Sequence, residues 1–153
     1  LCKHHIQATP RDADHPLVFE FFASQEAVAN WVGLVRVLRQ DFAEVAEGPN
    51  PPVHFCEPVI TGPASSARRA KDVVLHHLDN YLRRGLDPSE LVVECRLGTK
   101  EITLGATLAA MELGVDVEMT ESLRAEGDQK PGPPRLIISG SYLADRQLLS
   151  LED

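Results

Sequence analysis

The sequence predicts an α/β protein built on an open, mostly parallel sheet with helices on both faces. Three observations carry that expectation. Three apolar stripes recur at helical spacing, and each runs out near a glycine. Each stripe is preceded by a short apolar run of strand length. Those runs are near-continuous rather than alternating, as strands covered on both faces must be. Alternation of strand and helix implies right-handed crossovers and parallel pairing.

The first strand is read at Leu17-Val18-Phe19-Glu20-Phe21-Phe22. Val28, Trp31, Val32, Val35 and Leu38 then form the first helical stripe, which stops by Gly48-Pro49. Val53 to Ile60 reads as the second strand, and Ala67, Ala70, Val74, Leu78 and Tyr81 as the second helix. Arg83-Arg84 put charge in its last turn, Gly85 suits a left-handed cap, and Pro88 lies just beyond. Leu91-Val92-Val93 is the third strand, and the third helix runs from Thr99 or Lys100 to Leu113, with Gly114 behind it. Val115 to Met119 and Leu136-Ile137-Ile138 close the pattern as strands. Between them, Lys130-Pro131-Gly132-Pro133-Pro134 reads as a loop before an edge-side strand, because proline donates no ladder hydrogen bond. Residues 16–146 therefore read as one domain, 1–15 as a linker or remnant of an upstream segment, and 147–153 as a tail.

Composition narrows the class. The chain has 153 residues, 43% of them hydrophobic and 25% charged, which describes a soluble globular chain with one core. Fifteen basic against 23 acidic residues give a net charge of −8, which argues against sequence-independent binding of duplex nucleic acid. A small anionic ligand remains compatible, because a few local cations and helix N-termini can hold phosphate within an acidic protein. Cys2, Cys56 and Cys95 are scattered and form no CxxC pair, so a reducing, cytoplasmic compartment fits better than a disulfide framework. Cys2, His4 and His5 lack the second pair a zinc site needs, and no metal or cofactor is expected. No Ser-His-Asp order and no GxSxG is present, so no catalytic residue is assigned. No apolar run approaches the roughly 18–20 residues of a membrane span.

Ligands of open parallel sheets bind outside the carboxyl ends of the strands. Three loops lie there: Ala23-Ser24-Gln25-Glu26, Thr61 to Ser66 with Arg68, Arg69 and Lys71 behind it, and Arg96-Leu97-Gly98-Thr99-Lys100. Serine or threonine at a helix start serves first as an N-cap. A basic residue there opposes the helix dipole, so Arg68, Arg69 and Lys100 are poor structural choices that a bound anion would explain. In the third loop a glycine permits close backbone approach, a threonine offers a hydroxyl, the helix start offers free N–H groups and a lysine offers charge. Neither a P-loop nor GxGxxG is present.

The segment Leu91-Val92-Val93-Glu94-Cys95-Arg96-Leu97-Gly98-Thr99-Lys100, continuing through a small-residue helix to Gly114-Val115, resembles the hallmark of CARF domains. In these CRISPR-associated, Rossmann-like sensor domains, a buried strand runs into a glycine–glycine–threonine–lysine turn. The order of elements from Pro16 to Tyr142 is similar. Arg96 and Leu97 depart from the family, which has threonine and glycine there, and no strand precedes Pro16. The resemblance implies a homodimer that binds a cyclic oligoadenylate, with cyclic tetra-adenylate the expected ring, for a type III CRISPR ancillary effector. It implies ligand contacts from Gly98, Thr99 and Lys100, with Arg96, Leu97, Ser24, Gln25, Ser65 and Arg68 nearby. Because the chain starts at Leu1, an upstream effector or transmembrane segment is also expected, which would make this the cytosolic part of an inner-membrane protein. Two alternatives stay open: a ring nuclease that cleaves the cyclic ligand, and an interaction domain without nucleotide.

Overall fold

The computed structural model describes residues 2–8, 14–95, 99–125 and 128–140. The chain is a mixed α/β protein dividing into two compact units, Leu1–Gly62 and Pro63–Asp153.

In the first unit a short helix α1 (Cys2–Ala8) precedes strands β1 (Leu17–Phe19) and β2 (Phe22–Ala23). Helices α2 (Val28–Asp41) and α3 (Ala43–Ala46) follow, then strands β3 (Val53–Phe55) and β4 (Val59–Ile60). The two apolar runs read as single strands are each broken in the middle. β1 pairs in parallel with β3, and β2 with β4. The pairing crosses the break, since Cys56 N donates to Phe19 O at 2.9 Å and Val59 N to Phe21 O at 2.7 Å. Pro58 has no N–H to contribute between them, which accounts for the interruption. The first helical stripe, Val28 to Leu38, lies wholly in α2, and Phe42 separates it from the short α3 that follows before Gly48.

The core of this unit is Ile6, Val35, Val53 and Phe55. Phe55 stacks on Phe19 with centroids 5.2 Å apart and lies 5.9 Å from Phe42. Ile6, only 5% exposed, fastens α1 to this cluster, so the segment ahead of Pro16 carries a helix that the sequence pattern did not indicate.

In the second unit, α4 (Ala67–Arg83) leads through a 3₁₀ turn at Pro88–Glu90 to β5 (Val92–Glu94). Helix α5 (Lys100–Leu113) follows, then β6 (Asp116–Ala125) and β7 (Asp128–Ile138). β5 and β6 pair in parallel, and β6 and β7 antiparallel, in the order β5-β6-β7. The helix ends match their punctuation: Gly85 has φ +98°, and Gly114, at φ +66°, caps α5 in the left-handed region. Lys130 to Pro134 is not a loop. It belongs to β7, whose register passes from Leu123↔Lys130 to Thr120↔Pro134 with an irregularity between Thr120 and Ser122. β7 is an edge strand, the one place in a sheet where missing N–H donors leave no partner unsatisfied.

α4 and α5 pack through small residues. Ala70, Ala109 and Ala110 are fully buried, and Val74 and Leu78 extend the α4 stripe inward as its spacing requires. A Cβ at Gly105 would run into Ala67 O and come to 2.7 Å of Lys71 N and 2.8 Å of Ala70 Cβ. The α4 backbone thus occupies the space a side chain at 105 would need. Lys71 forms an ion pair with Glu112 across the same helix pair.

Candidate functional site

The close packing of α4 and α5 determines where their N-terminal ends lie. α4 is capped by Ser66, whose hydroxyl accepts from Arg69 N at 3.3 Å. α5 is capped by Thr99, whose hydroxyl accepts from Ile102 N at 3.4 Å. The Thr99 hydroxyl also donates to Ala64 O at 2.9 Å, two residues before the α4 cap. Two helix N-termini therefore stand side by side, each carrying the equivalent of about half a positive charge.

Charge of the same sign is added there. Lys100 and Arg68, in the first turns of α5 and α4, are both exposed, as is Ser65. Among the described residues neither Lys100 nor Arg68 has an acidic partner. Lys71, which the sequence groups with Arg68 and Arg69, is instead committed to Glu112. Stacking two dipole ends and two cations costs stability, which Glu101 in the first turn of α5 offsets in part and a bound anion would offset further. The second unit thus brings together four of the residues singled out in the sequence: Ser65, Arg68, Thr99 and Lys100. Arg96, Leu97 and Gly98 lie outside the described residues.

Ser24 and Gln25 belong to the first unit. Ser24 is 3% exposed, and its hydroxyl accepts from Ala27 N at 3.2 Å, so it shapes the turn into α2. Gln25 is exposed at its side chain and donates its backbone N–H to Gly62 O at 2.9 Å.

Two residues at this site were not singled out from the sequence. Thr103 donates its hydroxyl to Cys95 O at 3.2 Å, and Thr107 donates to Thr103 O at 2.9 Å. With the Thr107 proton so used, the Cys95 thiol, 3.2 Å from Thr107 Oγ1, is the donor of that contact. Burial pushes the Cys95 thiol above its ordinary range, and the nearby Glu94 charge adds to the rise. Cys95 is 6% exposed and held protonated, which is the state of a core thiol and not of a nucleophile. The readable signal was the spacing Thr99, Thr103, Thr107, which places three hydroxyls on one face of a helix.

An open groove of about 380 Å³ lies along α4 and the end of α5 and is lined by Asp72, His76, Asp79 and Glu112. Two of its acidic groups already have cations, with Arg83 Nε 2.7 Å from Asp79 and Lys71 on Glu112. Among the described residues no group of three His, Cys, Asp or Glu side chains is placed to hold a metal ion. Among them, too, no helix is long and apolar enough to cross a membrane. No protein-family model matches the chain, and no curated protein is significantly similar to it.

Proposed function

We propose that this chain is a CARF-like, Rossmann-like sensor domain that binds a cyclic oligoadenylate, with cyclic tetra-adenylate the expected ring. On this reading it serves a type III CRISPR ancillary effector in antiviral defence and works in the cytoplasm, alone or as the cytosolic part of an inner-membrane protein. The observation that carries the reading is the pair of abutting helix N-termini with Lys100 and Arg68 exposed beside them. Phosphate is the ligand such a place suits, since free N–H groups, dipoles and cations all favour negative charge. The resemblance of the Leu91 to Val115 segment to the CARF hallmark turns a generic anion into a ring of phosphodiesters.

In this reading Lys100, Arg68 and Ser65 face the ring phosphates, and the Gly98 backbone approaches them. The resemblance adds Arg96 and Leu97 to this set, and it also names Ser24 and Gln25, which belong to the first unit. A ring with two-fold symmetry calls for an isologous homodimer, each copy offering the same loops. On this reading the ring is bound and released intact.

Calorimetric titration with cyclic tetra-adenylate, followed by chromatography of the mixture, tests this. The expected result is one intact ring per two chains, with stabilisation of about 2.7 kcal/mol at a hundred times Kd. Absence of binding to cyclic tetra- and hexa-adenylate alike would overturn the reading. Linear fragments appearing over many turnovers would replace the sensor with a ring nuclease.

A further inference from the structure

We infer that the threonine column of α5 positions the site and does not touch the ligand, with Thr99 as the clamp that holds the α4 and α5 N-termini together. A carbonyl can only accept, so the single Thr99 proton must go to Ala64 O. A lone pair of the same oxygen receives the Ile102 N–H. The hydroxyl has no proton left for a phosphate oxygen. One turn on, Thr103 uses its proton to hold Cys95 O, immediately after β5. Thr107 secures Thr103 O and receives the Cys95 thiol.

Two hydroxyls thus hold the backbone at Cys95 and at Ala64, and both come from the helix that carries Lys100. The Gly105 contact with the α4 backbone keeps that helix at a fixed distance from Ala64. Thr99 is therefore a positioning residue. The charged contact that the hallmark assigns jointly to threonine and lysine falls to Lys100 and to backbone N–H groups. The clamp itself stands on geometry alone, whereas its consequence for binding rests on the proposed function.

Amide hydrogen exchange of the full chain separates a clamp from a simple cap. Thr99→Asp keeps a capping acceptor for Ile102 N–H and has no proton to give Ala64 O. The amide of Ala70, bonded to Ser66 O in the first turn of α4, should then exchange about fivefold faster, with α5 amides little changed. Thr99→Ser, which restores donor and acceptor, should match the wild type within about twofold in both helices. Thr103→Val should leave α4 unchanged and loosen the amide of Cys95, which bonds Glu118 O. An Ala70 amide unaffected in Thr99→Asp would overturn the clamp. In the binding arm, Thr99→Val should weaken cyclic tetra-adenylate about tenfold and Thr99→Ser hardly at all. Wild-type affinity in Thr99→Val would overturn the positioning role. A wild type that fails to bind sinks the proposed function, while the exchange arm still decides the clamp.

Discussion

Among the described residues two glycines sit inside helices, and they do opposite things. Gly33, in α2 of the first unit, is exposed, and a Cβ there would meet nothing within 4 Å. Gly105, in α5 of the second unit, is buried, and a Cβ there would collide with the α4 backbone. Both carry the same propensity cost, about 0.5–1 kcal/mol relative to alanine. Only at Gly105 does a closer helix contact offset it. The units differ in the same sense throughout. The first is filled by large rings, Phe19, Phe42 and Phe55, around Ile6 and valines. The second fits backbones together over alanines, and that closeness is what brings two helix N-termini within one hydrogen bond of each other. The first unit should therefore suffer from lost atoms, and the second from added ones.

The largest expected effect is in the ring cluster. Phe55→Ala removes the stack on Phe19 and should destabilise the first unit by about 3–5 kcal/mol in denaturant unfolding. A loss below about 1 kcal/mol would mean that the rings are not its core. Next comes Gly105→Ala. Overpacking against backbone costs about 1–3 kcal/mol, while the gain in helix propensity returns up to about 1. The net expectation is a loss of about 1–2 kcal/mol, and a stabilised variant would show that α4 and α5 are not in close contact. The same substitution at Gly33 should instead stabilise by about 0.5–1 kcal/mol, which makes the pair a direct test of the contrast.

A smaller effect concerns Cys95. Its folded-state pKa is raised, so its contribution is fully present below the ordinary thiol range and is lost as pH rises through the folded value. Stability of the second unit should thus fall in alkaline solution, by no more than about 1.4 kcal/mol per pH unit from this group. In Cys95→Ala that part of the slope should vanish. At neutral pH Cys95 should resist alkylation until the protein unfolds, and rapid labelling of the native protein would contradict its burial.

What could be read in the sequence follows from how local each cause is. Helices α4 and α5 were legible because stripe, cap and terminal glycine lie on one stretch of chain, and Ser66, Thr99 and Gly114 are all where that punctuation implies. The break at Phe42 was not, since apolar spacing continues across it. Nor was α1, a seven-residue helix too short to show a period, which owes its place to Ile6 meeting residues about 30 and 50 positions away. Pro131 to Pro134 misled because proline excludes a central strand but not an edge, and edge position is a property of the sheet. At the site, Lys100 and Arg68 were visible as charges in the wrong place for a dipole. The work of Thr99 was hidden because its acceptor, Ala64 O, lies 35 residues away.

If the joined N-termini form an anion site, Lys100 holds a phosphate there. Calorimetry of the wild type and Lys100→Ala against cyclic tetra-adenylate, at one salt concentration, tests it most directly. As a basic residue at a helix N-terminus, Lys100 adds nothing to the fold, so the variant should melt within about 0.5 kcal/mol of the wild type. In a dimer the substitution removes two charge-assisted contacts from one ring, each contributing roughly 1.5–3 kcal/mol, so affinity should fall at least about a hundredfold. Equal affinities in two equally stable proteins would remove Lys100 from the site and contradict the account.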